Sequence, residues 1–164
     1  AHLPSDPVQL KREDPWARAD RVAWGEVVAD YPIDYLAMLA PLLAEPVPAL
    51  AAQRVHGDLT GNVVFAPGVA PGIIDSTFYW RPAAFAEAIV LIDHGWFTSA
   101  IDITAVADTP ALAAMLRRAA TRRIAEQPEQ VAAYGKNAAD AMTIAQRIKI
   151  RADTILDRLD QFTF

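Results

Sequence analysis

Residues 55–65 read VHGDLTGNVVF, and residues 71–75 read PGIID. The VVF and GII runs inside these stretches are rich in β-branched residues, and glycine or proline bounds them. Short runs of that kind are typical of strands. We therefore predict that the two runs pair as an antiparallel hairpin, connected by a turn that contains glycine and proline.

Three polar residues lie at the base of this predicted hairpin. In an antiparallel pair the start of the first strand lies beside the end of the second, so we expect Asn62 and Asp75 to be neighbours. Amide and carboxylate oxygens are the ligands that Mg²⁺ prefers, usually together with phosphate. Asp58, four residues before Asn62 on a glycine-containing loop, is placed to accept a hydroxyl proton. The hairpin is therefore the predicted location of the chemistry.

The rest of the chain has mainly helical periodicity. Asp14 is a good N-cap residue in front of Pro15, and apolar residues recur at helical spacing from there to residue 29. Further helices are predicted over residues 33–44, 83–93, 96–106, 110–126 and 129–159, with a break near Gly135; Pro110 and Pro128 are typical of helix starts. The predicted fold class is mainly α with a small β-hairpin, that is, α+β.

Composition narrows the class of protein. The chain has 164 residues, of which 53% are hydrophobic and 21% charged, as expected for one globular domain or one lobe of a larger one. It has no cysteine, which excludes disulfides, a thiolate nucleophile and a cysteine-based zinc site. We find no uncharged apolar run long enough to cross a membrane and no secretory signal, so a cytoplasmic location and no membrane partner are expected.

The charge is unevenly distributed. The net charge is -5, and residues 1–110 hold 14 acidic and 6 basic side chains, whereas residues 111–151 hold 3 and 8. An acidic body argues against nucleic-acid binding and favours a cationic or neutral substrate, although solvated surface charge explains most such asymmetries. Four arginines of the predicted helix are expected to form a solvated basic face, with phosphate or an acidic partner as the alternative: Arg117, Arg118, Arg122 and Arg123.

The hairpin motif resembles the catalytic segment of the aminoglycoside phosphotransferase and choline kinase family, which has a protein-kinase-like fold. The family pattern is H-G-D, then an asparagine, a hydrophobic strand, a turn and a second strand that ends in I-D. The resemblance implies that Asp58 is the catalytic base, that Asn62 and Asp75 hold Mg²⁺ on the phosphates of ATP, and that His56 supports the loop. Two departures stand out: the loop over residues 59–61 is one residue shorter than usual, and S-T-F follows Asp75.

The resemblance also sets the expected domain organisation. Residues 1–13 are interpreted as a linker and residues 14–164 as the helical C-terminal lobe, since no glycine-rich loop or strand lysine precedes Asp14 and the N-terminal nucleotide-binding lobe is absent. The N-terminal lobe of the same protein is thus an expected partner.

The expected function is transfer of the ATP γ-phosphate to a hydroxyl of a small molecule by the full-length protein. For these residues alone we expect no phosphotransfer and nucleotide binding on the order of millimolar at best. The alternative is a non-catalytic kinase-like lobe that binds a ligand or a protein. Asp93, at the end of the helix predicted over residues 83–93, is a further residue that could face the substrate cleft.

Overall fold

A computed structural model describes residues 12–47, 49–94 and 109–161. The helices in these ranges are α1 (Pro15–Ala23), α2 (Ile33–Leu43), α3 (Ala83–His94), α4 (Thr109–Tyr134) and α5 (Ala138–Gln161). The strands are β1 (Ala52–His56), β2 (Val63–Val64), β3 (Gly72–Ile73) and β4 (Phe78–Pro82). The helix predicted over residues 96–106 and residues 1–11 of the predicted linker lie outside the described residues.

The predicted hairpin is present. Strands β2 and β3 pair antiparallel, with Val63 opposite Ile73. The pairing extends one residue further at its base, where the Ile74 N–H donates to the Asn62 carbonyl at 3.0 Å. Asp75 follows Ile74 directly, so the base of the hairpin brings the Asn62 backbone to the chain segment that carries Asp75.

A second two-stranded sheet was not predicted. Strand β1 pairs antiparallel with β4, from Ala52 opposite Pro82 to His56 opposite Phe78. The FYW run of β4 has the aromatic composition that strands favour, but it lies directly before α3 and is too short for its periodicity to stand out. The fold is therefore mainly helical α+β with two small antiparallel sheets, and the expectation of a single β element was wrong.

Two helix boundaries differ from the prediction. Helix α1 begins as expected, with the Asp14 carboxylate accepting from the Ala17 N–H at 2.9 Å, but it ends at Ala23 and not at residue 29. Helix α4 continues through Pro128, which was predicted to start a new helix. All residues over 121–130 are buried, so packing outweighs the hydrogen bond that proline removes. The predicted break near Gly135 is confirmed, and this glycine has a φ of 64°.

Helix α4 lies at the centre of the molecule and packs against α1, α2, α3 and α5. Its neighbours therefore cover more than one face, and polar side chains are buried with the apolar ones. The expected solvated basic face was wrong: Arg118, Arg122 and Arg123 are buried. Within the described residues no helix is long and apolar enough to cross a membrane.

Candidate functional site

His56 ties together the two segments that carry the predicted site. It is the last residue of β1 and is buried. Its Nδ1 accepts the Asp58 backbone N–H at 3.1 Å, and its Nε2 lies 2.8 Å from the Asp75 carbonyl oxygen. Because Nδ1 accepts, the ring proton belongs on Nε2, which donates to Asp75. Both nitrogens are engaged, so His56 acts as a positioning residue and has no free nitrogen for proton transfer.

Asn62 directly precedes β2 and Asp75 follows β3 by two residues, so both lie at the base of the hairpin. The Asn62 Nδ2 donates to the Asp58 carbonyl at 2.8 Å, so its side-chain oxygen is the end left for a ligand. Asp75 has a φ of 51°, a left-handed conformation that is uncommon for a residue with a side chain. Its carboxylate is exposed, and no cationic side chain in the described ranges pairs with it.

Asp58 is ion-paired with Arg123, one of the arginines expected on a solvated face. Its Oδ1 accepts from the Arg123 Nη2 at 2.7 Å, and its side chain is 39% exposed. Among the described residues nothing donates a hydrogen bond to the other oxygen, Oδ2. Arg123 therefore fixes one end of the carboxylate and leaves the other end accessible.

Arg123 is itself held by two further acids. Its Nε donates to Asp93 Oδ1 at 2.8 Å, its Nη2 donates to Asp93 Oδ2, and its Nη1 lies 3.1 Å from Glu126 Oε2. Burial alone would lower the pKa of Arg123, but the charges of Glu126, Asp93 and Asp58 raise it well above its ordinary value. Burial raises the pKa of Asp93, although Arg123 acts in the opposite direction.

A pocket of about 270 Å³ opens between the loop over residues 57–62, α4 and α5. Its wall combines carboxylates with polar and aliphatic side chains: Asp58, Thr60, Asp93, Arg123, Glu126, Gln127, Ile144 and Ile148. Asp93, which could face the substrate cleft, thus lines the same pocket as Asp58.

Gly57 allows the loop over residues 57–62 to pack closely against Tyr79 and Arg122. Its carbonyl accepts from the Arg122 Nη1 at 2.8 Å, and its N–H donates to the Thr77 carbonyl at 2.8 Å. A Cβ on Gly57 would lie 2.3 Å from the Tyr79 Cε2. The loop is therefore packed directly against Tyr79 and Arg122, and no other residue type fits at this position without displacing them.

Asp58, Asn62, Asp75 and His56 were predicted to share one site, and the structure links them through the His56 and Asn62 side chains and the main chain of Asp58 and Asp75, whereas the Asp75 carboxylate contacts none of the other three. Arg123 and Glu126 were not assigned to the site. One available signal was the acid that follows the arginines: Glu126 is spaced three and four residues after Arg123 and Arg122, and the structure pairs it with both.

Comparisons with known proteins add no relative. The chain matches no protein-family model, and searches of curated proteins and of solved structures found no match.

Proposed function

We propose that this chain is the C-terminal lobe of a kinase-like phosphotransferase that, in the full-length protein, transfers the γ-phosphate of ATP to a hydroxyl of a small molecule. The observation that carries the proposal is the His56 side chain, which joins the Asp58 backbone N–H to the Asp75 carbonyl. One neutral imidazole thereby connects the predicted base to the predicted metal ligand.

In this proposal Asp58 receives the proton of the acceptor hydroxyl. Phosphoryl transfer depends mainly on positioning and on charge stabilisation, so the base need not be strong. Arg123 holds Oδ1 at 2.7 Å and keeps the carboxylate in one orientation, while Oδ2 accepts the proton from the bound hydroxyl. The pocket beside Asp58 supplies space for the acceptor.

The donor set at the hairpin base fits Mg²⁺. Asn62 offers an amide oxygen, since its Nδ2 is used by the Asp58 carbonyl, and Asp75 offers an exposed carboxylate. Mg²⁺ is commonly held by one or two protein oxygens together with substrate phosphates, so the lack of a cluster of three acidic or histidine ligands in the described residues is compatible with it. When bound, the ion would neutralise charge on the ATP phosphates.

The proposed acceptor is a cationic or neutral alcohol. Asp58, Asp93 and Glu126 line the pocket with a single arginine, Arg123. An anionic acceptor would meet three carboxylates there, which disfavours it.

A second candidate function is a non-catalytic lobe that binds a protein or a ligand. The observation that favours it is the hairpin surface, where apolar side chains are exposed: Val64, Phe65, Val69, Ile73 and Ile74. Apolar patches of this kind often mark an interface. In the phosphotransferase proposal the partner at this surface is the N-terminal lobe of the same protein.

The two functions are separated by measuring Mg²⁺-dependent ATP turnover of the full-length protein against a panel of hydroxyl compounds. Asp58→Asn removes the base but keeps the side-chain shape, and we expect a loss on the order of 100-fold or more in the rate. Asp30→Asn, which removes an exposed carboxylate elsewhere, is the matched control and should leave the rate unchanged. Equal rates for the wild type and Asp58→Asn would show that Asp58 is not the base, and no turnover of any hydroxyl compound by the wild type would favour the binding module.

A further inference from the structure

Arg118 differs from the other two buried arginines of α4 in what surrounds it. Only 4% of it is exposed. Its Nη1 donates to the Ala23 carbonyl at 3.1 Å, and its Nη2 donates to the Glu45 carbonyl, both of them main-chain groups. No carboxylate among the described residues forms an ion pair with it, whereas Arg122 and Arg123 each pair with Glu126.

Both carbonyls lie at C-terminal helix ends, Ala23 at the end of α1 and Glu45 just beyond α2, where a cation is favoured, so Arg118 has main-chain partners but no carboxylate partner. A guanidinium has five N–H donors and stays protonated, and the two carbonyls engage one N–H on each of two nitrogens. Burial lowers the pKa of Arg118, and no nearby acid offsets that effect. Since these two carbonyls take only two of the five N–H donors, Arg118 can still bind a further acceptor from an adjoining cavity.

Such a cavity is present. A pocket of about 520 Å³ lies between the end of α1, the end of α2 and Arg118 of α4, and we call it the α1–α2 pocket. Its wall is otherwise mainly apolar and includes Val22, Val27 and Leu43, together with one acidic residue, the exposed Glu45, whose carbonyl accepts from Arg118. Its volume is in the range of small-molecule sites, which are typically apolar with few polar groups.

We propose that the α1–α2 pocket binds a small carboxylate with an apolar body, whose carboxylate pairs with Arg118. A planar guanidinium matches a carboxylate, and the apolar wall matches a hydrocarbon chain. A single arginine suits a monoanion better than a phosphate dianion. The pocket shares no lining residue with the pocket beside Asp58, so this proposal is independent of phosphotransfer.

The test uses octanoate as the probe, octanamide as its neutral counterpart and inorganic phosphate as an anion without an apolar body. Binding is followed by amide chemical shifts of the ¹⁵N-labelled chain. We expect saturable shifts at Gly25, Val28 and Val47 with octanoate, and at least roughly tenfold weaker binding of octanamide and phosphate. Equal affinity for octanoate and octanamide would overturn the proposal, as would the absence of saturable shifts with octanoate.

Arg118→Met should abolish the preference for octanoate over octanamide, but it also removes the bonds to Ala23 and Glu45 and could unfold the chain. A pair of variants at the pocket rim avoids that problem. Val28 lines the pocket and is 88% exposed, so a charge there leaves the core intact. We expect Val28→Lys to tighten octanoate binding and Val28→Glu to weaken it, each by roughly threefold, with no change for octanamide. Equal octanoate affinity in the two variants would contradict a site for anions.

Discussion

At the scale of single residues, Gly57 determines how closely the loop over residues 57–62 packs on the core. A methyl group there would lie 2.3 Å from Tyr79 Cε2 and 2.7 Å from Arg122 Nη1. Tyr79 cannot move away easily, because it is buried and the Arg122 guanidinium lies 4.4 Å from its ring centre. We expect Gly57→Ala to reduce the free energy of unfolding by about 1–3 kcal/mol, measured by chemical denaturation.

Gly72 provides the matched control for that substitution. A Cβ on Gly72 would meet only the Val64 Cγ2, at 3.1 Å, and Val64 is exposed and free to adjust. We expect Gly72→Ala to change the free energy of unfolding by less than about 1 kcal/mol. Equal losses at the two glycines would mean that the close contact with Tyr79 is not what Gly57 provides.

Asp93 is expected to make the stability of the folded protein depend on pH in a defined direction. Burial raises its pKa above the ordinary 3.8, so the folded protein holds this proton more tightly than the unfolded chain does. The contribution of Asp93 to stability is then largest below pH 3.8 and declines as the pH rises to the raised pKa. We expect the stability of the wild type relative to Asp93→Asn to fall over that interval, measured by denaturation at a series of pH values. A relative stability that increases with pH would show that the ion pair with Arg123 outweighs the effect of burial.

At the scale of secondary structure, α1 depends on its N-cap. Asp14 accepts from the Ala17 N–H at 2.9 Å and from Arg12 Nε at 2.7 Å. Burial would raise the pKa of Asp14, but these two hydrogen bonds hold it below the ordinary 3.8. The stabilisation by the ionised cap is therefore present above pH 3.8 and is lost as the pH falls through the lowered pKa.

We accordingly expect Asp14→Ala to cost about 1 kcal/mol near neutral pH and less in acid, measured by thermal unfolding across pH. Asp14→Asn keeps a capping oxygen and should retain most of the stability at neutral pH. A loss from Asp14→Ala that stays constant from pH 7 to pH 2 would show that the carboxylate does not act through its charge.

Elements with strong local signals were predictable from the sequence, and elements that depend on tertiary contacts were not. The β2–β3 hairpin and the start of α1 follow from turn residues, β-branched runs and the Asp14–Pro15 pair. Strand β4 exists because β1 lies beside it, a pairing between residues about 25 positions apart that no local pattern contains. Proline is common at helix starts, so a new helix was predicted near Pro128. The packing around α4 overrides that preference, and the helix continues through this residue.

The same distinction holds for the candidate site: its local residues were predictable from the sequence, and its long-range contacts were not. The spacing of the hairpin motif brought His56, Asn62 and Asp75 to one place, because all three belong to one local segment. Arg123 could not be assigned to it, since a pattern of arginines on a helix does not reveal which faces are covered. Only the central position of α4 shows that Arg123 is buried against Asp58 and Asp93.

At the scale of the whole molecule, α4 connects the site to the rest of the fold. Arg118 bonds the main chain at the ends of α1 and α2, Arg122 bonds the Gly57 carbonyl, and Arg123 joins α3 to Asp58. In addition, Arg81 of β4 forms an ion pair with the buried Asp20 of α1, in which Arg81 Nη2 lies 2.5 Å from Asp20 Oδ2. The position of Asp58 is therefore set by contacts with α4 and, through Arg123, with Asp93 of α3, and the loop does not determine it alone.

The most direct test of the proposed site is paramagnetic broadening of the amide signals of this chain by Mn²⁺ with ATP. Mn²⁺ takes the same oxygen ligands as Mg²⁺, and broadening is detectable even when binding is only millimolar. We predict broadening centred on Asn62 and Asp75 that disappears in Asp75→Asn and persists in Asp30→Asn. Broadening that is unchanged in Asp75→Asn, or that is centred away from the base of the hairpin, would contradict the proposal that Asn62 and Asp75 hold the metal.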